Sequence, residues 1–473
     1  MNPATFLCRL FTLVMITTAA TTTAPTAANA APLALEDYLE QVSSKHLGLR
    51  AAAQIAHGAK LYSGEASTIY APTLIGGVNA VSEGRSNPLA PDQHFAMQTY
   101  SLGVSQASKV GINGKMTYNY LSVPGSFDYN TGYYQLDVSA SLMRNLFGSE
   151  IRNQTNLIES GALAKTFAQS FASKSMLLEA EVNYWRLALA REMVSMQKEA
   201  LARAQKIFDW TTRRVRLQLV DRSETLQATT NLQARRLDLR TSEDEERSAR
   251  LAFNSSRGSL GDQVGESLAV LNPDLIARMS APARTTQRDD VRAAEYQARA
   301  SAASAELGRE KNKATLELYG SALLTDPTAP TGALALLMPI SARPQSVVGV
   351  KFSAPLNLGT LSDARQGYAA EARAADWQYQ RKVFEEERDW QDLAARFRDV
   401  KERFRLVTEL EKTQKEKLDF ERERHARGRS TLQQVLFFEN DYENAQLGRL
   451  KTLAELLTLN AQMKLYGVSY ESR

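Results

Sequence analysis

From Leu356 to the C-terminus the chain contains no proline, and Val383, Trp390, Phe397 and Phe404 recur there at seven-residue steps. Leu393, Val400 and Val407 fill the interleaved positions. This a/d seam predicts a long helix packed along its length against other helices. The pattern is interrupted once, at Gly428–Leu436, and resumes through Leu450, Leu457 and Ala461, which predicts a long helical hairpin with its tip near Gly428. A second proline-free run, Gly148 to Gly258, carries Ala180, Leu187, Val194, Leu201 and Phe208 at the same spacing. A strict seven-residue repeat implies left-handed supercoiling, and the charges on the other faces read as a solvated coiled-coil surface.

Between an Ala-rich helical stretch, Leu35 to Ser63, and the first long run, the period changes from helical to two. Tyr70 to Val81 is a strand candidate of undefined phase. Tyr100, Leu102 and Val104 alternate with Ser101, Gly103 and Ser105; Met116, Tyr118 and Tyr120 alternate with Thr117 and Asn119; Tyr134, Leu136, Val138 and Ala140 alternate with Asp137 and Ser139. Such alternation marks strands with one apolar and one polar face. It suits an ordinary sheet on a soluble core, or a membrane barrel with a wet lumen and a tyrosine girdle. The length of the helices, far more than a sheet of this size needs as cover, favours the barrel.

The second half repeats the first. Asp289 to Asn312 echoes Leu35 to Ser63, Leu316 and Leu318 open a strand, and Val348, Val350, Phe352 and Ala354 form another. Pro355-Leu356-Asn357-Leu358-Gly359 echoes the strand exit Ser141 to Gly148, and Gln218 to Leu226 aligns with the tip Gly428 to Leu436. The expected organisation is a signal peptide (1–30), a first repeat (31–262) with its tip near 218–226, and a connector (263–287). A second repeat (288–467) with its tip near 428–436 and a short tail (468–473) complete it. The hairpin at about 100–121 has no counterpart in the second half; it either adds two strands or stands outside the membrane as a flap. A duplicated helix–strand–strand–long-hairpin unit is a specific architecture.

Composition narrows the setting. Arg9, an apolar core from Leu10 to Ala20 and Ala28-Asn29-Ala30 read as an export signal with an A-x-A cleavage site. Cleavage would remove Cys8, the single cysteine, leaving no disulfide or Cys metal site. With 57 basic and 53 acidic side chains in 473 residues, no bulk attraction to nucleic acid is implied. No later stretch is apolar enough to span a bilayer as a helix, so any membrane insertion is through strands.

Candidate chemistry is sparse. His46, His57, His94 and His425 show no metal-ligand spacing, and solvated or capping roles fit them better. Gly258, Gly261 and Gly265 lack the Lys-Ser/Thr of a phosphate loop and read as a helix C-cap and connector. Glu385-Glu386 lies on a charged helix without a pocket, and Trp185, Trp210, Trp377 and Trp390 read as packing residues. The expectation is a protein that is not an enzyme and uses no cofactor.

Taken in order, these features make the chain resemble the outer membrane efflux protein family, the TolC-like channels, over essentially its whole mature length. The residues that carry the resemblance are Arg288-Asp289-Asp290-Val291, Val350 to Leu356, Gly428-Arg429-Ser430 with Val435-Leu436, and Leu219-Val220 with Glu224. The resemblance implies a mainly α fold with a membrane β-barrel portion, in which three chains build a trimeric α-barrel and a shared β-barrel. Strand counting points the same way: about six strands per chain are too few for the smallest single-chain barrel. Open edges in lipid leave backbone groups unpaired, so copies must close the sheet.

The resemblance further implies an outer-membrane exit duct of a tripartite efflux pump or type I secretion system. Its periplasmic tips would close the channel and meet an adaptor protein tied to an inner-membrane pump. The family's acidic gate residue falls on Glu224, after Ser223. Its tyrosine partner falls on His425 and its arginine partner on Ser430, with Arg427 and Arg429 adjacent. Its acidic rings fall on Gln434 and Phe437. A lock between Glu224 and Arg427 or Arg429 is one substitute; solvated tip residues are the plainer reading. Leu219, Val220, Gly428, Arg429 and Ser430 are the expected adaptor-contacting tip. The competing reading is a non-conducting periplasmic coiled-coil adaptor or spacer, although an adaptor should interrupt its hairpin with a compact β domain.

Overall fold

The computed structural model describes residues 32–83, 95–123, 129–218, 221–268, 284–325 and 343–467. The expected export signal and C-terminal tail lie outside the described residues, as do most of the connector and the tip residues Leu219 and Val220.

Two helical hairpins dominate the molecule. α3 (Ser149–Arg216) turns into α4 (Arg222–Ser256), and α6 (Leu358–Ala426) turns into α7 (Leu432–Met463). With 68 residues in α3 and 69 in α6, each long helix extends about 100 Å at 1.5 Å per residue. Three shorter helices, α1 (Leu35–Lys45), α2 (Leu47–Ser63) and α5 (Asp289–Lys311), pack against α3, with α1 beside Tyr184 near its middle. α2 runs along α3, and α5 joins the two repeats by packing on both α3 and α6. The expected Leu35–Ser63 helix is broken at His46, whose Nδ1 accepts the Leu49 amide at 3.2 Å and caps α2. Among the described residues no helix is long and apolar enough to cross a membrane.

The helical seams bury two cores. One joins Tyr38 and Val42 of α1 to Tyr184 and Leu187 of α3 and Phe253 of α4; Tyr38 stacks on Phe253 at 4.2 Å, and its hydroxyl donates to the Phe253 carbonyl at 3.0 Å. The other joins Leu189 and Met196 of α3 to Phe397, Val400 and Phe404 of α6 and to Leu450, Leu453, Leu456 and Leu457 of α7. The α6 seam is therefore buried over its middle. Its start is not: Val383 and Trp377 are exposed, because among the described residues no element covers that side of α6.

The strands form one antiparallel sheet in chain order: β1 (Thr73–Glu83), β2 (Phe95–Ala107), β3 (Ile112–Val123), β4 (Tyr129–Ser141), β5 (Thr315–Thr325) and β6 (Arg343–Ser353). β1 starts later than the sequence pattern suggested, after a 3₁₀ turn at Gly64–Tyr70. The unmatched hairpin is β2–β3; β2 pairs with β1 over Phe95–Ser105, and β3 pairs with β4 along its whole length. Its turn tucks against the start of α3. Gly111 and Gly148 both adopt left-handed φ there (84° and 74°), and a Cβ on Gly148 would lie 1.8 Å from the Lys109 carbonyl oxygen. Asn145 completes the junction by accepting the Glu150 amide at 3.0 Å, and Arg144 grips Glu150 with two hydrogen bonds of 2.9 and 3.0 Å.

Candidate functional site

The sheet is the first half of the site. Its register puts Leu74, Val104, Met116 and Leu136 in one row across β1 to β4, and Ile112, Ala140, Leu318 and Val350 in another across β3 to β6. These apolar residues share a face, and most are exposed. The opposite face carries Ser105, Lys115, Asp137, Ser139, Glu317, Tyr319 and Lys351. There the polar Thr117 and Asn119 are the buried ones, at 4% and 8% exposure, and Asn119 donates to the Thr117 hydroxyl at 3.2 Å. A soluble sheet covers its apolar face; this one shows it outward and folds its polar face inward, the polarity of a barrel wall around water. Strands of 11 to 13 residues match the 9–11 tilted residues, roughly, that cross a hydrocarbon core.

Tyrosines gather on the outward face toward the loops. Tyr100 lies 6.4 Å from Tyr120, and Tyr118 lies 5.1 Å from Tyr134 with its ring over Gly132. Such amphipathic rings suit a membrane–water boundary. On the inward face Lys115 stands opposite Asp137, and Glu317 opposite Lys351. Each pair joins opposite charges, so these four side chains sum to zero.

The helix tips are the second half. α6 ends in a left-handed Gly428 (φ 71°), with the Gly428 amide donating to the His425 carbonyl and the Arg429 amide to the Arg424 carbonyl, both at 2.9 Å. That is the Schellman arrangement, which satisfies carbonyls the helix leaves open. Thr431 then caps α7, its hydroxyl accepting the Gln434 amide at 3.3 Å. α3 also ends in a left-handed residue, Gln218 (φ 56°), whose amide donates to the Val215 carbonyl at 2.9 Å, and Asp221 takes the N-cap position of α4.

Of the expected gate residues, the structure brings Glu224 and His425 close enough to interact electrostatically. His425 is pulled below its ordinary 6.5, first by burial and then by the Arg214 guanidinium; Glu224 and Glu421 oppose the shift. The imidazole lies 4.7 Å from the Trp210 ring, over which Arg214 sits at 4.6 Å. One Glu224 oxygen is shielded from water without a hydrogen-bond partner among the described residues. Arg427 pairs with Glu423 on its own helix, and among the described residues no ion pair joins Glu224 to Arg427 or Arg429. Ser430 donates to Glu421, which also holds Arg424 at 3.4 Å. Ser223, Arg429, Gln434 and Phe437 are exposed.

Sequence reasoning missed the polar network behind the tip. Glu439 of α7 is buried and bridges Arg203 of α3, at 3.2 Å, to Arg422 of α6. Glu443, one turn on, pairs with Arg235 of α4; its carboxyl is raised above the ordinary range by burial, against the pull of Arg235. A signal was present: Glu439 and Glu443 fall in the apolar stripe that runs from Leu432 and Val435 to Leu450. Arg203, Trp210, Arg422, His425 and Glu439 line a recess of about 380 Å³ beside the tip. Among the described residues, no cluster of His, Cys, Asp and Glu is placed to hold a metal ion.

No family model and no curated protein matches the sequence. Solved structures do match the fold. The outer-membrane channel OprN is 18% identical at a TM-score of 0.67, over 92% of this chain and 90% of its own. The Campylobacter jejuni CmeC outer membrane channel is 15% identical at 0.67, over 92% and 85%. The outer membrane protein VceC from Vibrio cholerae is 16% identical at 0.66, over 92% and 97%. With its paired long helices, its outward-apolar sheet and this likeness over nearly the whole length, the chain has a TolC-like fold, the one these outer-membrane proteins share.

Proposed function

We propose that the protein is an outer-membrane channel, a passive exit duct that serves a tripartite efflux pump or a type I secretion system. The observation that carries this reading is the inverted polarity of the sheet, apolar outward and polar inward, on a helical body about 100 Å long. Three copies close the strands into one barrel in the outer membrane, and their helices line a duct across the periplasm. The tips at Gln218 and Gly428 end that duct, where they meet a periplasmic adaptor protein and, through it, an inner-membrane pump. The chain is exported by a cleaved signal peptide, catalyses no reaction and holds no cofactor. At the tip, Glu224 is the gate residue: its shielded oxygen beside His425 is available to a group on a neighbouring copy.

The test is location and conductance together. A heat-resistant trimer in outer-membrane fractions that conducts ions in planar bilayers supports the reading. A soluble periplasmic monomer without conductance, as a coiled-coil spacer would be, sinks it.

A further inference from the structure

β1 and β6 are the two open edges of the sheet. We propose that β6 of one copy pairs antiparallel with β1 of the next, with Ser353 opposite Thr73 and Val347 opposite Asn79, so that three copies close an eighteen-stranded barrel. The copy number rests on the channel reading above; the register does not.

Four observations converge on this seam. First, the strands are antiparallel throughout and number six, so the last runs opposite to the first and a β6–β1 ladder continues the pattern. Second, Thr73–Glu83 and Arg343–Ser353 are both 11 residues long, and only this register pairs both in full. Third, it keeps the faces: Phe352 meets Leu74 and Val348 meets Val78 on the apolar side, while Gly349 meets Gly77 on the polar side. A slip of one residue would set apolar against polar throughout. Fourth, these edge residues are more exposed than most of their counterparts inside the sheet: Leu74 74%, Val78 72%, Val348 78% and Phe352 64%, against 56% for Leu102 and 42% for Val138. A missing neighbour on each edge accounts for that difference.

The stagger agrees. Crossing the sheet from Thr73 leads through Ser105, Lys115, Asp137 and Ser321 to Val347. The proposed seam then arrives at Asn79, six residues along the next β1. An even step preserves the faces, and one residue of stagger per strand gives a tilt of about 35°, at the edge of the range that closed barrels adopt. Eighteen such strands enclose a backbone diameter of about 34 Å, wide enough for an aqueous lumen that side chains do not fill. The β2–β3 hairpin thus widens the membrane end of the duct, and closure is left to the helix tips.

Cysteine crosslinking in outer membranes tests the register, in a full-length chain whose one cysteine is first replaced (Cys8→Ala). Asn79→Cys with Val347→Cys, and Val78→Cys with Val348→Cys, place thiols opposite each other on adjacent rungs. Rungs of an antiparallel ladder alternate between about 4.5 and 5.5 Å in Cα separation, so one of the two pairs is the closer type. Oxidation should convert most of the denatured monomer band into two- and three-chain species for at least one pair. Ser321→Cys with Val347→Cys, opposite within one chain, reports that the sheet is formed. Crosslinking of Val347→Cys to Val81→Cys or Gly77→Cys instead would overturn the register. No interchain product in any pair, with the internal control closed and the trimer heat-resistant, would overturn the seam and leave the channel reading standing. A soluble monomer would overturn both.

Discussion

Gln218 and Gly428 occupy the same left-handed position, one at the end of α3 and the other at the end of α6. Three residues later each chain segment re-enters a helix at an N-cap, Asp221 in the first repeat and Thr431 in the second. The two tips are thus one turn built twice, with glycine in only one of them. Gln218→Gly should stabilise the first tip by about 1 kcal/mol, because a Cβ is strained at positive φ. Gly428→Ala should cost the second tip a similar amount. Amide exchange at the ends of α3 and α6 would resolve each effect; no change in either would mean the turns are held by something other than backbone conformation.

His425 should make the tip pH-sensitive. Its imidazole is held below the ordinary 6.5, so between those two values the unfolded chain binds a proton that the folded tip does not. The stability it contributes is complete above about 6.5 and falls as pH drops through the folded value. Tip exchange rates should rise on acidification across that window, and His425→Gln should flatten the rise. An unchanged profile in the variant would assign the pH dependence to other groups.

Glu224→Ala should raise single-channel conductance, or leakage of antibiotics into cells, if the carboxylate helps hold the tips together. Exposed ion pairs contribute about 0–1 kcal/mol, and a shielded carboxylate can contribute more, so a several-fold increase is expected. Conductance equal to that of the parent would return Glu224 to an ordinary place on a solvated tip.

Glu439 carries a larger stake. It is buried between Arg203 and Arg422, and removing it leaves each half-buried guanidinium with only its outer partner, Glu199 or Asp419. Glu439→Ala should cost about 1–2 kcal/mol, between the values for exposed and fully buried pairs, seen as a lower denaturation midpoint. Glu439→Gln, which keeps hydrogen bonding without the charge, should cost less. Equal costs would show that hydrogen bonding contributes nothing there.

Gly148→Ala has no low-energy solution. The methyl group would collide with the Lys109 carbonyl, and φ is 74°. The β2–β3 turn would have to leave the start of α3, at an expected cost of more than about 2 kcal/mol. Loss of trimer yield, with the helical circular-dichroism signal intact, is the expected result.

Much of this architecture could be read from the residues, for reasons that are local. At both tips a left-handed position is followed three residues later by an N-cap, features of local backbone chemistry that leave a mark in the residues. The strand exits held because Asn145 and Asn357 both cap the helix that follows, Asn357 accepting the Thr360 amide at 3.3 Å. The phase of β1 was obscure because Gly76 and Gly77 fall in its middle and carry no side chain to alternate. What the sequence hid was pairing at a distance. No periodicity says that Arg203, Arg422 and Glu439 converge, since each lies on a different long helix. The seam residue Val383 looked like core, and in one chain it is surface.

The sheet turned with its apolar face outward also constrains how the protein is made. Its helices find their cores within a single polypeptide, so they can settle early in water. The strands differ: within one chain their apolar face stays exposed, and on the proposed channel reading it is covered only by lipid and the sheet edges only by sister chains. On that reading, biogenesis then has an imposed order: the helices form first, and β1 to β6 need shielding from water until insertion and assembly occur together.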